Sequence, residues 1–493
     1  MRNTNQKLKK RLKGSILAYV LVIMTVVMIV LVSMIGYITS QLKFSLNRVE
    51  KERAFQIAEA GVYYYRWYLA HKTSAKTPQE ISAFWQDGGE LGFDFEDDYE
   101  GMGRYQVTVN KPSNSSTIAI VESTGWTYKD PNLKRTVRVR FRKPSWSEYM
   151  FLTHSFLAFG TGAEVYGKVY SSSGVRFNGL AHNVVSALPP RFNDPDYGGS
   201  SMEFGVYTQK IPADPSAPPY PWPEGTVPDR PDVFEAGRQF PVPEISFNGV
   251  TLALGDMKTE AQKPNGTIVN GCNTTNCYFN YDTGEDSGKR IILKSNGDFD
   301  ICTVADYQHT LLNPKNYREN GGTGTCNSCG GNECTQTYAI PHDGIIFVEG
   351  NAWVDGVVDD KRITIAAANL SGGTAANIYI GMGNIRYASY DCDNIIGLVA
   401  QKDISIIKDC PDDFIVDAAL LSQTGRVNRG NYSLDRSSLT FNGAIASYLQ
   451  PYFNTGNNGF GVRNYFYDNN LLYCPPPFFP TGTEYSIDLW EEL

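Results

Sequence analysis

Six of the nine cysteines, Cys272, Cys277, Cys302, Cys326, Cys329 and Cys334, fall in one stretch otherwise rich in Asn, Gly and Thr, as in "NGCNTTNC" and "GGTGTCNSCGGNEC". Two chemistries suit them. Outside a membrane such clusters staple loops that bury little core, which makes disulfides the first reading and leaves the pairing open. The Cys326-x2-Cys329 spacing also suits zinc, but no histidine is near enough in sequence to complete a familiar set, and Cys334 only weakly extends it. Cys392, Cys410 and Cys474 make the total odd, so at least one thiol is free or pairs outside the chain.

Acid–base chemistry needs groups that converge. Asp355, Asp359, Asp360, Asp412 and Asp413 are the carboxylates a sugar-cleaving site would draw on, yet each sits in a turn-like polar segment where a solvated acid is ordinary. His71, His154, His182, His309 and His342 are isolated in sequence, and no HExxH, G-x-S-x-G or phosphate loop occurs. Gly381 and Gly383 in "YIGMGN" lie between β-like pieces rather than before a helix, which removes the dinucleotide reading. The acidic runs "DDYEG", "DTGEDSG" and "DCPDD" offer oxygen ligands for calcium but match no recognised loop. The expectation is no enzyme, no metal and no cofactor.

One basic stripe stands out. In "KRTVRVRFRK" the residues Val137, Val139 and Phe141 alternate with Arg138, Arg140 and Arg142, which period-two geometry puts on the wet face of a strand that Arg135 begins. A solvated sheet face or acidic neighbours is the first reading of these arginines, and a phosphate-binding surface for DNA the second. The formal charge of −8, about −14 without the six cations of residues 1–13, repels an extended polyanion elsewhere.

The elements that must position these groups are mostly β. Thirty tyrosines, 25 phenylalanines and 46 glycines with only 19% charged residues read as a β-rich surface protein of two or three domains. The expected class is α+β. Residues 72–147 read as a small α/β head with a short helix in "TPQEISAFWQ", an acidic loop "FDFEDDYEGMG", and strands at 104–110, 116–126 and 134–143. Residues 148–188 and 341–450 share short apolar pieces broken by tight turns, recurring every 18–24 residues, which predicts a right-handed parallel β-helix with a β-sandwich as the alternative. Between them lie a proline-rich insertion at 189–250, expected to be extended and irregular, and a cysteine-rich loop region at 251–340; residues 451–493 read as a C-terminal tail.

Ahead of all this runs a helix. From Gly14 to Leu42 there is no charge, enough to span a bilayer and too long for a secretory core, and the six cations before it hold residues 1–13 in the cytoplasm. No proline interrupts the continuation to about residue 71, so residues 15–71 form one helix of about 80 Å, membrane-spanning in its first half through residues 15–38.

Lys13-Gly14-Ser15 before that apolar run resembles a type IV prepilin cleavage site, and "NRVEKERAFQIAEAGVYY" resembles the AF-x-x-AEAG signature of PilX-type minor pilins. The resemblance covers residues 8–70. It implies a leader of residues 1–14, with Gly14 its last residue and Ser15 the methylatable new N-terminus, and filament packing through Phe55, Glu59 and Gly61. Ordinary pilins carry a glutamate at the fifth mature residue to pair with a neighbour's amine; this chain has Tyr19. That departure implies a tip or priming subunit, or a pseudopilin outside long filaments, because a lone carboxylate in an apolar layer is costly without a partner. The implied partners are other pilins, prepilin peptidase and the pilus assembly platform. The implied location is the inner or cytoplasmic membrane, then the cell-surface filament at its tip. The β-helical region is expected to be displayed, with adhesion to a surface glycan or protein as its role. An uncleaved membrane-anchored adhesin and a carbohydrate-active β-helix enzyme are the alternatives.

Overall fold

The computed structural model describes residues 12–73, 76, 78–112, 118–143, 145–197, 201–245, 247, 249–263, 271–280, 287–319, 324–330, 334–453, 458–481 and 485–493. They divide into two units. The first takes the chain up to Lys111, then Ala119–Arg142 and Ile487–Leu493; the second takes 112–118 and Lys143–Ser486.

The first unit begins with α1 (Leu12–Thr73), 62 residues without a break and about 90 Å long. Its C-terminal half buries Ala54, Ile57, Ala58, Val62, Tyr65, Tyr68 and Leu69, a stripe at steps of three and four that marks one helix face. That face meets an antiparallel sheet of β1 (Asp94–Tyr99), β2 (Gly103–Asn110), β3 (Ile118–Thr127) and β4 (Arg135–Arg142). Tyr105, Val107, Val109, Val121, Val137, Val139 and Phe141 point inward, and the residues between them are wetter. α2 (Pro78–Asp87) caps the end, where Tyr68 donates to the Gly88 carbonyl at 3.1 Å.

Two features of this sheet differ from expectation. The acidic stretch is an edge strand, β1, in register from Asp94 opposite Thr108 to Tyr99 opposite Gly103; its carboxylates are an edge that resists further pairing. And the order of the sheet is β1, β2, β3, β4, then the C-terminal strand Ser486–Glu492, so the expected tail supplies the fifth strand.

The second unit is built largely from parallel ladders. In one, register aligns Cys277, Ile346, Ile365, Leu398, Leu420, Ile445, Phe151, Val169 and Val185, all buried in a single aliphatic core. The next residue in each strand, among them Phe347, Val399, Leu421 and Leu152, faces a second apolar layer formed with Leu254 and Met257 of α3 (Gly249–Ala261) and with Leu471 and Phe479. These strands are therefore buried on both faces and read as continuous apolar runs rather than alternating ones. The spatial order is not the chain order. Strands between 277 and 447 pair in ascending sequence, and the last of them, Arg436–Ser447, pairs with Tyr149–Thr153, the first strand of the unit. The chain thus enters and leaves this ladder at its middle, and α3 lies on the return from Arg238–Gln239 to Gly271–Cys272.

The class is α+β as expected, but the sheet is mixed rather than uniformly parallel. Antiparallel pairs dominate the cysteine-rich part, where Asp298–Tyr307 pairs with Gly288–Leu293, Pro314–Arg318 and Gln336–Ala339. There Cys272 bonds Cys277, Cys302 bonds Cys329 and Cys326 bonds Cys334. Within the proline-rich stretch Val206 and Phe234 enter the aliphatic core, and Arg238–Gln239 pairs in parallel with Val185–Ser186, so it does more than form an irregular excursion. Buried Asp214 holds it together by accepting from Arg238 at 2.5 Å, with Arg230 at 3.6 Å.

Candidate functional site in the N-terminal helix

α1 is two surfaces in one element. From Ile16 to Ile38 the apolar side chains are exposed all round, Tyr19 at 70% among them. Among the described residues this is the one helix long and apolar enough to cross a membrane. Its Ser and Thr hydroxyls turn back on the helix: Thr25 donates to the Val22 carbonyl, Ser33 to Ile29 and Thr39 to Ile35, each at 2.8 Å. Back-bonding of this kind removes the polar cost of an apolar surrounding. Gly14 and Ser15 lie in the first turns of the helix, while residues 1–11 of the expected leader lie outside the described residues.

At Glu50 the surroundings change. Its carboxylate is buried, accepting from Thr127 Oγ1 at 2.9 Å and Lys129 Nζ at 3.1 Å, with Arg53 at 3.2 Å. Burial pushes its pKa up, but the bonds from Lys129 and Thr127 and the charges of Lys129 and Arg53 bring it below the usual glutamate value. Glu50 thereby pins the helix to the end of β3. One and two turns on comes the AEAG signature. Ala54 and Ala58 lie so close to β3 that a Cβ on Gly125 would strike the Ala54 carbonyl and the Ala58 amide. A Cβ on Gly61 would strike Ser123 Oγ and come within 2.8 Å of the Tyr105 ring. Small residues are what lets helix and sheet approach. Phe55 and Glu59 are half-buried, with the Arg135 guanidinium 5.8 Å from the Phe55 ring centre. Gly61 thus serves packing inside the unit, a use distinct from the filament contact expected of it.

Arg138, Arg140 and Arg142 lie on the opposite sheet face, while Arg135, at the start of the strand, shares the face of Val137 and reaches Phe55; all four are met by acids. Arg138 pairs with Glu122 at 2.7 Å and Glu491 at 3.0 Å, Arg140 and Arg142 each pair with Asp488 at 2.7 Å, and Arg135 pairs with Glu492. Contact with DNA through these side chains would have to compete with carboxylates already in place. The complement was present in "SIDLWEE" at the far end of the chain, where no local pattern tied it to residues 135–142.

The other chemical candidates are dispersed. Asp355 is buried against Arg290 at 3.3 Å, and burial raises its pKa while Arg290 opposes the rise. Asp412 and Asp413 accept from Ser437 and Ser438, and Asp359 and Asp360 are exposed. His71, His154, His182 and His309 each lie against an aromatic ring, at 4.4, 4.6, 4.1 and 4.3 Å between centres. Cys326 and Cys329 belong to different disulfides, which leaves neither thiolate for zinc. Among the described residues no three His, Cys, Asp or Glu side chains gather to hold a metal.

Residues 13–62 match the family model described as PilX N-terminal. The helix that opens the chain is thus a PilX-type N-terminal segment. The match ends one residue past Gly61, so the PilX-type segment comprises both surfaces of α1: the bare apolar half and the small-residue half packed on the sheet. Its apolar half fits a protein anchored in a membrane and then associated with a pilus. No curated protein matches the chain. A solved structure, the competence-associated pilin ComZ from Thermus thermophilus, aligns at 14% identity over 90% of this chain and 98% of that one with a TM-score of 0.25, too low to establish a common fold.

Proposed function

We propose that this protein is a minor pilin cleaved after Gly14 by prepilin peptidase, inserted by an assembly platform into a type IV pilus-like filament, and placed at or near its tip. The observation that carries the reading is the division of α1: an uncovered apolar half continuous with a half fixed to a folded sheet, within the PilX-type segment. An apolar cylinder of that length is stable only in lipid or among similar helices. Tyr19 supports the tip or priming position, since a subunit with no neighbour above it needs no carboxylate for that neighbour's amine. We read the parallel part of the second unit as β-helical and as the displayed module, with adhesion to a glycan or protein as its role; its ladder of stacked strands offers an extended face.

The test is the N-terminal residue of the protein recovered from sheared surface filaments, by intact-terminus mass spectrometry. A terminus at Ser15, methylated or not, is expected. A chain found only in membranes with residues 1–14 retained would make it an anchored surface protein instead and remove the significance of Tyr19.

A further inference from the structure

One outer face of the second unit carries a continuous row of side chains. Register places Asp417 beside Asn442 and Asn442 beside Phe466. Tyr465 then pairs with Val165, Val165 with Ala181, and Ala181 with Phe234. Val165, Ala181 and Phe234 are buried in the aliphatic core, so the residues that follow them, Tyr166, His182 and Glu235, project from the other side. Side-chain contacts keep the same order. Asn442 Nδ2 donates to Asp417 Oδ1 at 2.6 Å, the ring centres of Phe466 and Tyr166 are 6.1 Å apart, those of Tyr166 and His182 4.1 Å, and His182 Nδ1 is 2.7 Å from Glu235 Oε2. From Asp417 to Glu235 the row runs about 24 Å, at one strand spacing of about 4.8 Å per step.

The row is open to solvent. Among the described residues eight large apolar side chains of the second unit are exposed, and three belong here: Tyr166 at 47%, Phe466 at 44% and Tyr390 at 55%, whose hydroxyl donates to Asp417 Oδ2 at 3.1 Å. Single exposed apolar residues are ordinary, whereas three in one row mark a contact surface. The Tyr166 and His182 rings are 12° from parallel and cover one another, so the free ring face is that of Phe466, turned away from Tyr166 toward Asn442. Asn442 is short, and the Tyr390 hydroxyl lies 3.3 Å from its Nδ2, which makes it a low step between two aromatic side chains. Its amide is also fixed. With Nδ2 held by Asp417 and Tyr390, the Asn442 Oδ1 on the far side of the amide is left as an acceptor.

We propose that this row binds an extended chain of uncharged sugars, with one pyranose seated on Phe466 over Asn442. The proposal rests on the reading of this unit as a displayed adhesion module and names its ligand and its face. A pyranose has a C–H face that packs on an aromatic ring and a rim of hydroxyls that need acceptors. Asn442 Oδ1 supplies one; further along the row the exposed carboxylates of Glu235 and Glu164, at 2.7 and 3.9 Å from the His182 ring nitrogens, supply others. A protein partner would want a contiguous apolar centre, but each exposed ring here has a polar neighbour: Asn442 beside Phe466, Asp417 on Tyr390, and Glu164 accepting from Tyr166 at 3.0 Å. A polyanion would be repelled by Glu164 and Glu235. The step of about 4.8 Å is close to the length of one sugar residue in a straight chain, so a straight chain keeps pace with the row where a coiled one departs from it.

The experiment titrates the intact chain, in zwitterionic detergent micelles, with cellohexaose, maltohexaose and hexagalacturonate by isothermal calorimetry. Cellohexaose, neutral and straight, is expected to bind; coiled maltohexaose and anionic hexagalacturonate are expected to bind more weakly or not at all. Phe466→Ala should weaken cellohexaose by about three- to tenfold without moving the unfolding midpoint. Tyr220→Ala, at a similarly exposed aromatic outside the row, should leave the affinity unchanged. Maltohexaose or hexagalacturonate binding as tightly as cellohexaose would overturn the proposal, as would an unaltered affinity in folded Phe466→Ala. If no hexasaccharide binds although deleting the protein lowers the adhesion of cells, the row is refuted and the display reading stands. Adhesion unchanged by the deletion would remove the display reading and this proposal with it.

Discussion

The two units use the same backbone pairing under opposite conditions. In the first, each strand has one dry face against α1 and one wetter face on which Arg138, Arg140 and Arg142 meet acids. In the second, strands such as Ile395–Ala400 and Ile345–Val348 have no wet face at all, with the aliphatic core on one side and α3 or the Leu471 and Phe479 region on the other. The difference teaches where each unit keeps its stability: the first in a single helix–sheet contact with close backbone approach, the second in columns of stacked aliphatics.

The sharpest way to break this contrast is to hollow a column. Leu420→Ala removes a side chain 1% exposed between Leu398 and Ile445, and it should cost about 2–5 kcal/mol in denaturant unfolding of the second unit. The unfolding of the first unit should keep its midpoint; a shift of both would show that the units do not hold stability separately. Next in size is Gly61→Ala, which forces a methyl against Ser123 and Tyr105. It should cost the first unit roughly 1–3 kcal/mol by thermal unfolding, whereas an unchanged midpoint would mean that helix and sheet are not tightly apposed there.

The smallest effect concerns charge. Glu50 titrates below its ordinary value of 4.5 in the folded chain, so its contribution is complete above that value and is lost as the pH falls through the depressed one. In Glu50→Gln the acid-side fall in stability of the first unit should be shallower. An identical pH profile would sink the pinning role given to this residue.

How much of this was legible in the sequence depended on whether the signal was local. The apolar run from Gly14, the AEAG motif and the alternation in β4 are periodicities within one element, and α1 and β4 follow them closely. β1 was hidden because "DFEDDY" has acids on both faces of an edge strand, which no inside–outside pattern marks. α3 was hidden in a glycine- and proline-rich setting, and its amphipathic face matters only against strands as remote as Ile345–Val348. Pairings that span the chain, Cys392 with Cys474 or Arg140 with Asp488, leave no local trace at either end. The same holds for the core of the candidate site: Glu50 looks like any helix-surface acid until Thr127 and Lys129 come beside it.

The fifth strand of the first sheet gives synthesis a direction. Everything from Lys143 to Tyr485 must be made before Ser486–Glu492 can lie beside β4. A polypeptide interrupted anywhere in that span keeps its apolar helix and most of its sheet, but leaves β4 with a bare edge and removes Glu492 from Arg135 and Asp488 from Arg140 and Arg142. Closure of the small sheet thus waits on the chain reaching Ser486–Glu492, so a break anywhere between is registered at the edge of β4.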